Sequence, residues 1–186
     1  MTKTKQIFSI QSMTRIALST AILCILGPIS FPIAISEVPI SLGILGIFLA
    51  VIILGLKEGT ISVALYILLG LVGLPVFAGY TGGIAKLIGP TGGYIIGYIP
   101  LAIIAGLFIH FFKRKLWAIV TGMILAVIVC YAFGTAWLAI SAHLTFQAAL
   151  MAGVIPYIPF DLAKLFLSLA IGIPVHNAIA HFTGEF

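Results

Sequence analysis

The chain has 186 residues, 62% of them hydrophobic and 7% charged, with a mean hydropathy of +1.32. A soluble domain is about a quarter charged, so a water-facing globular surface is excluded and the chain reads as an integral membrane protein whose main surroundings are a lipid bilayer. Nine basic residues give a net charge of +5, but they are too few and too scattered to line a groove, which excludes nucleic acid as a partner.

A spanning helix needs roughly 20 mostly apolar residues, and hydropathy predicts six of them in one transmembrane domain, an all-α bundle over residues 1–186. The first runs over 12–30, is stopped near Pro28 and Pro32, and is read as retained, because no cleavable leader pattern accompanies it. Within it, Ala17-Leu18-Ser19-Thr20-Ala21 sets Ala17 and Ala21 four apart, a flat strip where another helix could come close. A short loop over 31–39 leads to the second span, 40–56, ended by Lys57-Glu58-Gly59. The third covers 60–74 and stops at Pro75. A glycine-rich outer loop, 75–93, precedes the fourth span, 94–112, which ends on Lys113-Arg114-Lys115. The fifth covers 116–141, and a partly helical connector, 142–157, leads to the sixth, 158–180.

Orientation follows from the cations. With the N-terminus inside, Lys3, Lys5, Arg15, Lys57, Lys113, Arg114 and Lys115 all fall on the cytoplasmic side. An even number of spans returns the C-terminus there too. Lys86 and Lys164 are the two exceptions, which makes them candidates for function.

Lys164 sits in Pro156-Tyr157-Ile158-Pro159-Phe160-Asp161-Leu162-Ala163-Lys164, at the outer end of the sixth span, with the only aspartate of the chain three residues before it. A charge at membrane depth costs about 2.5–3.5 kcal/mol by insertion scales. The i, i+3 spacing puts Asp161 and Lys164 on one helix face. Such a pair can neutralise itself as an internal tie or serve a ligand, and a ligand site is the preferred reading. Lys86 sits in the segment 70–97, which holds 9 of the 20 glycines and repeats Thr-Gly-Gly at Thr81-Gly82-Gly83 and Thr91-Gly92-Gly93. Paired glycines permit close backbone approach, and their exposed N–H groups favour anions.

Other chemistries are not visible. The chain holds no G-x-x-x-x-G-K-[ST] nucleotide loop, no serine elbow and few carboxylates. His110, His143, His176 and His181 show no metal-ligand spacing. No cofactor, metal or catalytic residue is expected, and the chain does not read as an enzyme.

The segment from Gly73 to Tyr98, GLPVFAGYTGGIAKLIGPTGGYIIGY, together with PYIPFDLAK, resembles the BioY family. These are the biotin-specific S components of energy-coupling-factor (ECF) transporters, and the likeness covers essentially the whole chain. The resemblance implies high-affinity capture of biotin at the outer side of a bacterial plasma membrane, beneath the loop after the third span. It implies as partners a membrane coupling protein and two ATPase subunits, with Ala17 and Ala21 on the docking surface for the coupling protein. Biotin's ureido ring carries two N–H donors and a carbonyl, which suit Asp161 and Lys164. Its apolar body suits walls made by Phe77, Tyr80, Tyr94 and Tyr157. Its tail carboxylate needs donors, for which Thr81, the Gly82–Gly83 backbone or Lys86 would serve. A solitary membrane facilitator or channel for a small vitamin, and a small intramembrane enzyme, are the alternatives.

Overall fold

A computed structural model describes residues 9–33 and 36–183. Lys3 and Lys5, two of the cations that set the expected orientation, lie outside the described residues, as do the chain ends.

Helix α1, Ile10–Leu26, starts where Ser9 turns its side chain back to accept from the Ser12 N–H at 3.1 Å, filling one of the unpaired donors of a first turn. Its buried face, Ser12, Ile16, Thr20 and Leu23, recurs at helical spacing and packs on α2. The polar members are tied down: Thr20 donates to the Ile16 carbonyl at 2.8 Å, and Ser62 of α2 donates to the Glu58 carbonyl at 2.9 Å and the Ile16 carbonyl at 3.3 Å. The Ser12 hydroxyl donates to the Glu58 carboxylate.

The expected loop after α1 is instead an antiparallel hairpin, β1 (Ser30–Ile33) and β2 (Ser36–Ser41), with Ser30 opposite Ser41 and Phe31 opposite Ile40. Pro32 and Pro39 cannot continue a helix, and each sits in a strand without donating to the ladder. Alternation along β2 does the rest: Val38 and Ile40 are buried, and Pro39 between them is half-buried. The chain is therefore mostly helical rather than all-α.

Among the described residues, four helical stretches are long and apolar enough to cross a membrane: Gly43–Leu71, Gly92–Phe111, Leu116–Ser141 and Phe146–Phe182; α1 is a shorter apolar helix. The first of these, α2, is broken at Gly55, where φ is 79° and ψ −168°. A straight helix would set Gly59 about 12 Å along the axis from Val51. Instead a Cβ built on Gly59 would lie 2.9 Å from the Val51 Cα, so the two halves fold back on each other at Gly55. The expected stop at Lys57-Glu58-Gly59 lies inside the helix. Charge does not end a helix; a left-handed φ does, and glycine takes it at little cost.

Within the expected glycine-rich loop the chain forms α3, Ile84–Ile88, then α4, Gly92–Phe111. Helix α5, Leu116–Ser141, is followed by short α6, Phe146–Gly153, a single 3₁₀ turn and α7, Ile158–Thr183. Helix α2 is central and touches α1, α4 and α7, while α4 lies along α5. Lipid supplies little hydrophobic drive between helices, so close packing of small residues must hold them. Gly106 of α4 seats against Leu56, and Gly122 of α5 against Phe108. Leu23, Ile47, Phe48, Val51, Val63, Leu101 and Met123 fill the centre with no exposure.

Candidate functional site

Asp161 falls in the first turn of α7, where the unpaired N–H groups and the helix dipole favour a carboxylate. Lys164 follows one turn later. Its ammonium donates to Asp161 Oδ1 at 2.6 Å, and both side chains are buried. A third group completes the cluster. The Tyr131 hydroxyl, carried by α5, donates to Asp161 Oδ2 at 2.6 Å.

The cluster borders the first of two cavities of about 40 Å³ each that share a wall. Both are walled by Val38, Pro39 and Ser41 of β2 and by Tyr94 and Tyr98 of α4. The tyrosines are four apart and so share one helix face. Tyr131, Tyr157, Asp161 and Lys164 close the first cavity; Tyr66, Phe77, Lys86 and Thr91 line the second. The hairpin is pinned over them, because the Tyr157 hydroxyl donates to the Val38 carbonyl.

Glycine seats fix two of the aromatic walls. The Tyr94 ring fits where a side chain on Gly134 would collide with it, and its hydroxyl donates to the Gly153 carbonyl at 2.8 Å. Phe77 is buried against Gly70, edge-on to Tyr66 at 5.7 Å, and the Tyr66 hydroxyl donates to the Val76 carbonyl at 3.0 Å. These bonds commit the hydroxyls of Tyr66, Tyr94 and Tyr157 to backbone, so those rings present mainly apolar surface to the cavities.

A larger cavity of about 440 Å³ lies between α5, α6 and α7. Its walls are Ile124, Ile128, Leu150, Leu162 and similar side chains, many of them exposed on the outside of the bundle. It reaches polar groups only at Tyr131, Thr135 and Asp161. A lipid-facing apolar cleft offers a polar solute little, so the smaller cavities, where charged and hydroxyl groups converge, are the better site despite their size.

The expected site residues thus divide. Asp161, Lys164, Tyr157, Tyr94, Phe77 and Lys86 come together around the cavities. Tyr80 is 70% exposed and stands at the tip of a turn closed by mutual bonds between Phe77 and Thr81. The Thr81 hydroxyl donates to the Ala78 carbonyl at 2.9 Å, and the Gly83 N–H to the Gly70 carbonyl at 2.7 Å. A side chain at Gly82 would collide with the Leu74 carbonyl. The first Thr-Gly-Gly therefore spends its groups on chain packing, and Tyr80, Thr81, Gly82 and Gly83 do not line either cavity. Ala17 and Ala21 are far from them, exposed on α1.

Thr91, Tyr98 and Tyr131 are among the cavity residues that were not expected. Thr91, in the second Thr-Gly-Gly, is buried, and its hydroxyl has no hydrogen-bond partner among the described residues. Tyr98 follows Tyr94 by one turn, a spacing readable in the sequence. Tyr131 stands mid-helix in α5, away from the interfacial belts where tyrosine is common, and that oddity was its signal.

Residues 1–181 match the model of the BioY family. The chain belongs to the BioY family. It is 33% identical over 170 residues to "Biotin transporter BioY2" of Lactococcus lactis subsp. cremoris, covering 91% of this chain and 92% of that one. It is 37% identical over 154 residues to "Biotin transporter BioY" of Thermotoga maritima, covering 83% and 89%. The fold matches the crystal structure of an S-component for biotin from an ECF-type ABC transporter, with a TM-score of 0.83, 31% identity and 95% of each chain covered. BioY membership and several apolar helices make this chain a multi-pass membrane protein.

Proposed function

We propose that this chain is the biotin-binding S component of an ECF-type importer and captures biotin at the outer side of a bacterial cell membrane. The observation that carries this reading is the buried Asp161–Lys164 pair facing a cavity, in a BioY chain that shares its fold with a biotin S-component. The pair sets an acceptor and a donor side by side in an otherwise apolar wall. A cyclic urea has the complementary edge: an N–H for the carboxylate and, beside it, the carbonyl for the ammonium. Phe77, Tyr94, Tyr98 and Tyr157 enclose the apolar rings. The tail carboxylate reaches Lys86 and the Thr91 hydroxyl, at the far end of the second cavity.

At about 40 Å³ each, the cavities fall far short of the roughly 300 Å³ or more of a small-molecule pocket, so a bicyclic ligand enters only if the lid opens. The β1–β2 hairpin and the Phe77–Thr81 turn move outward, with the Tyr157–Val38 bond as the latch.

Six spans cross the bilayer: α1, the two halves of α2, α4, α5 and α7. The half over 43–54 is about 18 Å long, short of the roughly 30 Å hydrocarbon core, and the hairpin completes its crossing. Both chain ends then face the cytoplasm, with Lys57, Lys113, Arg114 and Lys115.

The chain binds without turning biotin over, and its transport is powered by a coupling protein and two ATPase subunits. Ala17 and Ala21, exposed on α1, form the strip on which the coupling protein seats. Ala17→Trp should abolish co-purification with the coupling protein while biotin stays bound. Retained assembly would contradict the docking surface, and loss of both would mean the variant had not folded.

A further inference from the structure

We infer that Tyr131 is a positioning residue for the ligand's ring, holding the Asp161 carboxylate in the one plane from which it can read a ring N–H; this rests on the biotin reading above. A carboxylate offers about four acceptor sites. Lys164 occupies one on Oδ1 and Tyr131 one on Oδ2, each at 2.6 Å. One site on each oxygen is left; the two N–H groups of a cyclic urea diverge, so the carboxylate accepts from one of them while the ammonium meets the carbonyl beside it.

The two donors do different work. Lys164 is three residues from Asp161 on the same helix, so both side chains of the pair pivot on α7 and can turn together. Tyr131 comes from α5, thirty residues away in sequence, and anchors the second oxygen to a separate element. Without its hydroxyl the ammonium is free to bridge both oxygens, which closes the face the ligand needs. Tyr131 also lines both the polar cavity and the apolar cleft between α5, α6 and α7. Of the tyrosines at the cavities, Tyr66, Tyr94 and Tyr157 donate to backbone, whereas Tyr131 donates to a charged side chain.

The test compares the full-length purified chain with Tyr131→Phe, which keeps the ring and removes one oxygen. Binding is measured for biotin, for biotin methylated on a ring nitrogen, and for the biotin amide, altered only at the tail. Tyr131→Phe should weaken biotin by about tenfold and shrink its advantage over the methylated ring. Biotin and the amide should weaken in parallel. An unchanged affinity, or equal losses for biotin and the methylated ring, would reduce Tyr131 to a structural tie and overturn the inference. Failure of the wild-type chain to bind biotin would instead remove the biotin reading, and this inference with it.

A second readout does not depend on affinity ratios. Asp161 is the only aspartate, so ¹³C-labelled aspartate gives a single side-chain carboxylate resonance. Biotin should move that line in the wild-type chain and move it less in Tyr131→Phe. A line that biotin leaves unmoved in the wild type overturns the claim that these oxygens face the ring.

Discussion

The two ends of the bundle use polar groups in opposite ways. At the Gly55 end, the break in α2 strands helix-terminal carbonyls, and side chains from other elements satisfy them. Arg114, in the α4–α5 turn, donates to the Ile52 carbonyl at 2.6 Å, and His176 of α7 lies 2.8 Å from the Ile53 carbonyl. These are C-terminal caps, where a cation also meets the negative end of the dipole. Burial lowers the pKa of Arg114 from its ordinary value, yet a guanidinium stays charged. At the Asp161 end, by contrast, charged side chains pair with each other beside a cavity, and Thr91 has a hydroxyl left over among the described residues. Polar groups that satisfy backbone hold a fold together. Polar groups that converge on a cavity, with acceptor sites to spare, are equipped for a ligand.

Three substitutions sharpen or break that contrast. The largest effect is expected from Asp161→Asn, which removes a charged acceptor and leaves Lys164 buried without its partner. Hydrogen bonds to charged groups contribute about 1.5–3 kcal/mol, so biotin affinity should fall on the order of 100-fold. Arg114→Gln comes next and acts on the other property. It should lower the stability of the detergent-solubilised chain by about 1–2 kcal/mol in a thermal or denaturant unfolding series, with biotin affinity unchanged. If Arg114→Gln weakened binding as much as stability, the separation of the two ends would fail. The smallest effect belongs to Tyr80→Ala. With its ring 70% exposed, its loss should alter affinity by less than about twofold, and a large drop in an equilibrium binding assay would return the turn tip to the site.

How far the sequence revealed this arrangement depended on the range of each interaction. Asp161 and Lys164 were legible because both lie on one helix turn and stand out in an apolar chain. Tyr131 was not, because its bond to Asp161 joins α5 to α7 and only packing creates it. The hairpin escaped a hydropathy reading whose window is longer than either strand, and Pro32 and Pro39 suggested an irregular loop. The reversal in α2 was expected at the charged Lys57-Glu58-Gly59, but the deciding property is the backbone angle at Gly55. Of the two Thr-Gly-Gly repeats, the first attracted a ligand role although its N–H and hydroxyl groups are spent internally. The second holds the unpartnered Thr91. Nothing in the local sequence distinguishes the two; the neighbours they acquire on folding do.

The central claim is that a buried carboxylate–ammonium pair in this bundle reads the ring of biotin. Calorimetric titration of biotin into the purified chain in detergent, beside Asp161→Asn checked for folding by its melting transition, tests it most directly. The account predicts saturable one-site binding at nanomolar to low-micromolar concentration in the wild type and its loss in the variant. Equal binding by a folded Asp161→Asn, or no binding by a folded wild-type chain, would contradict it.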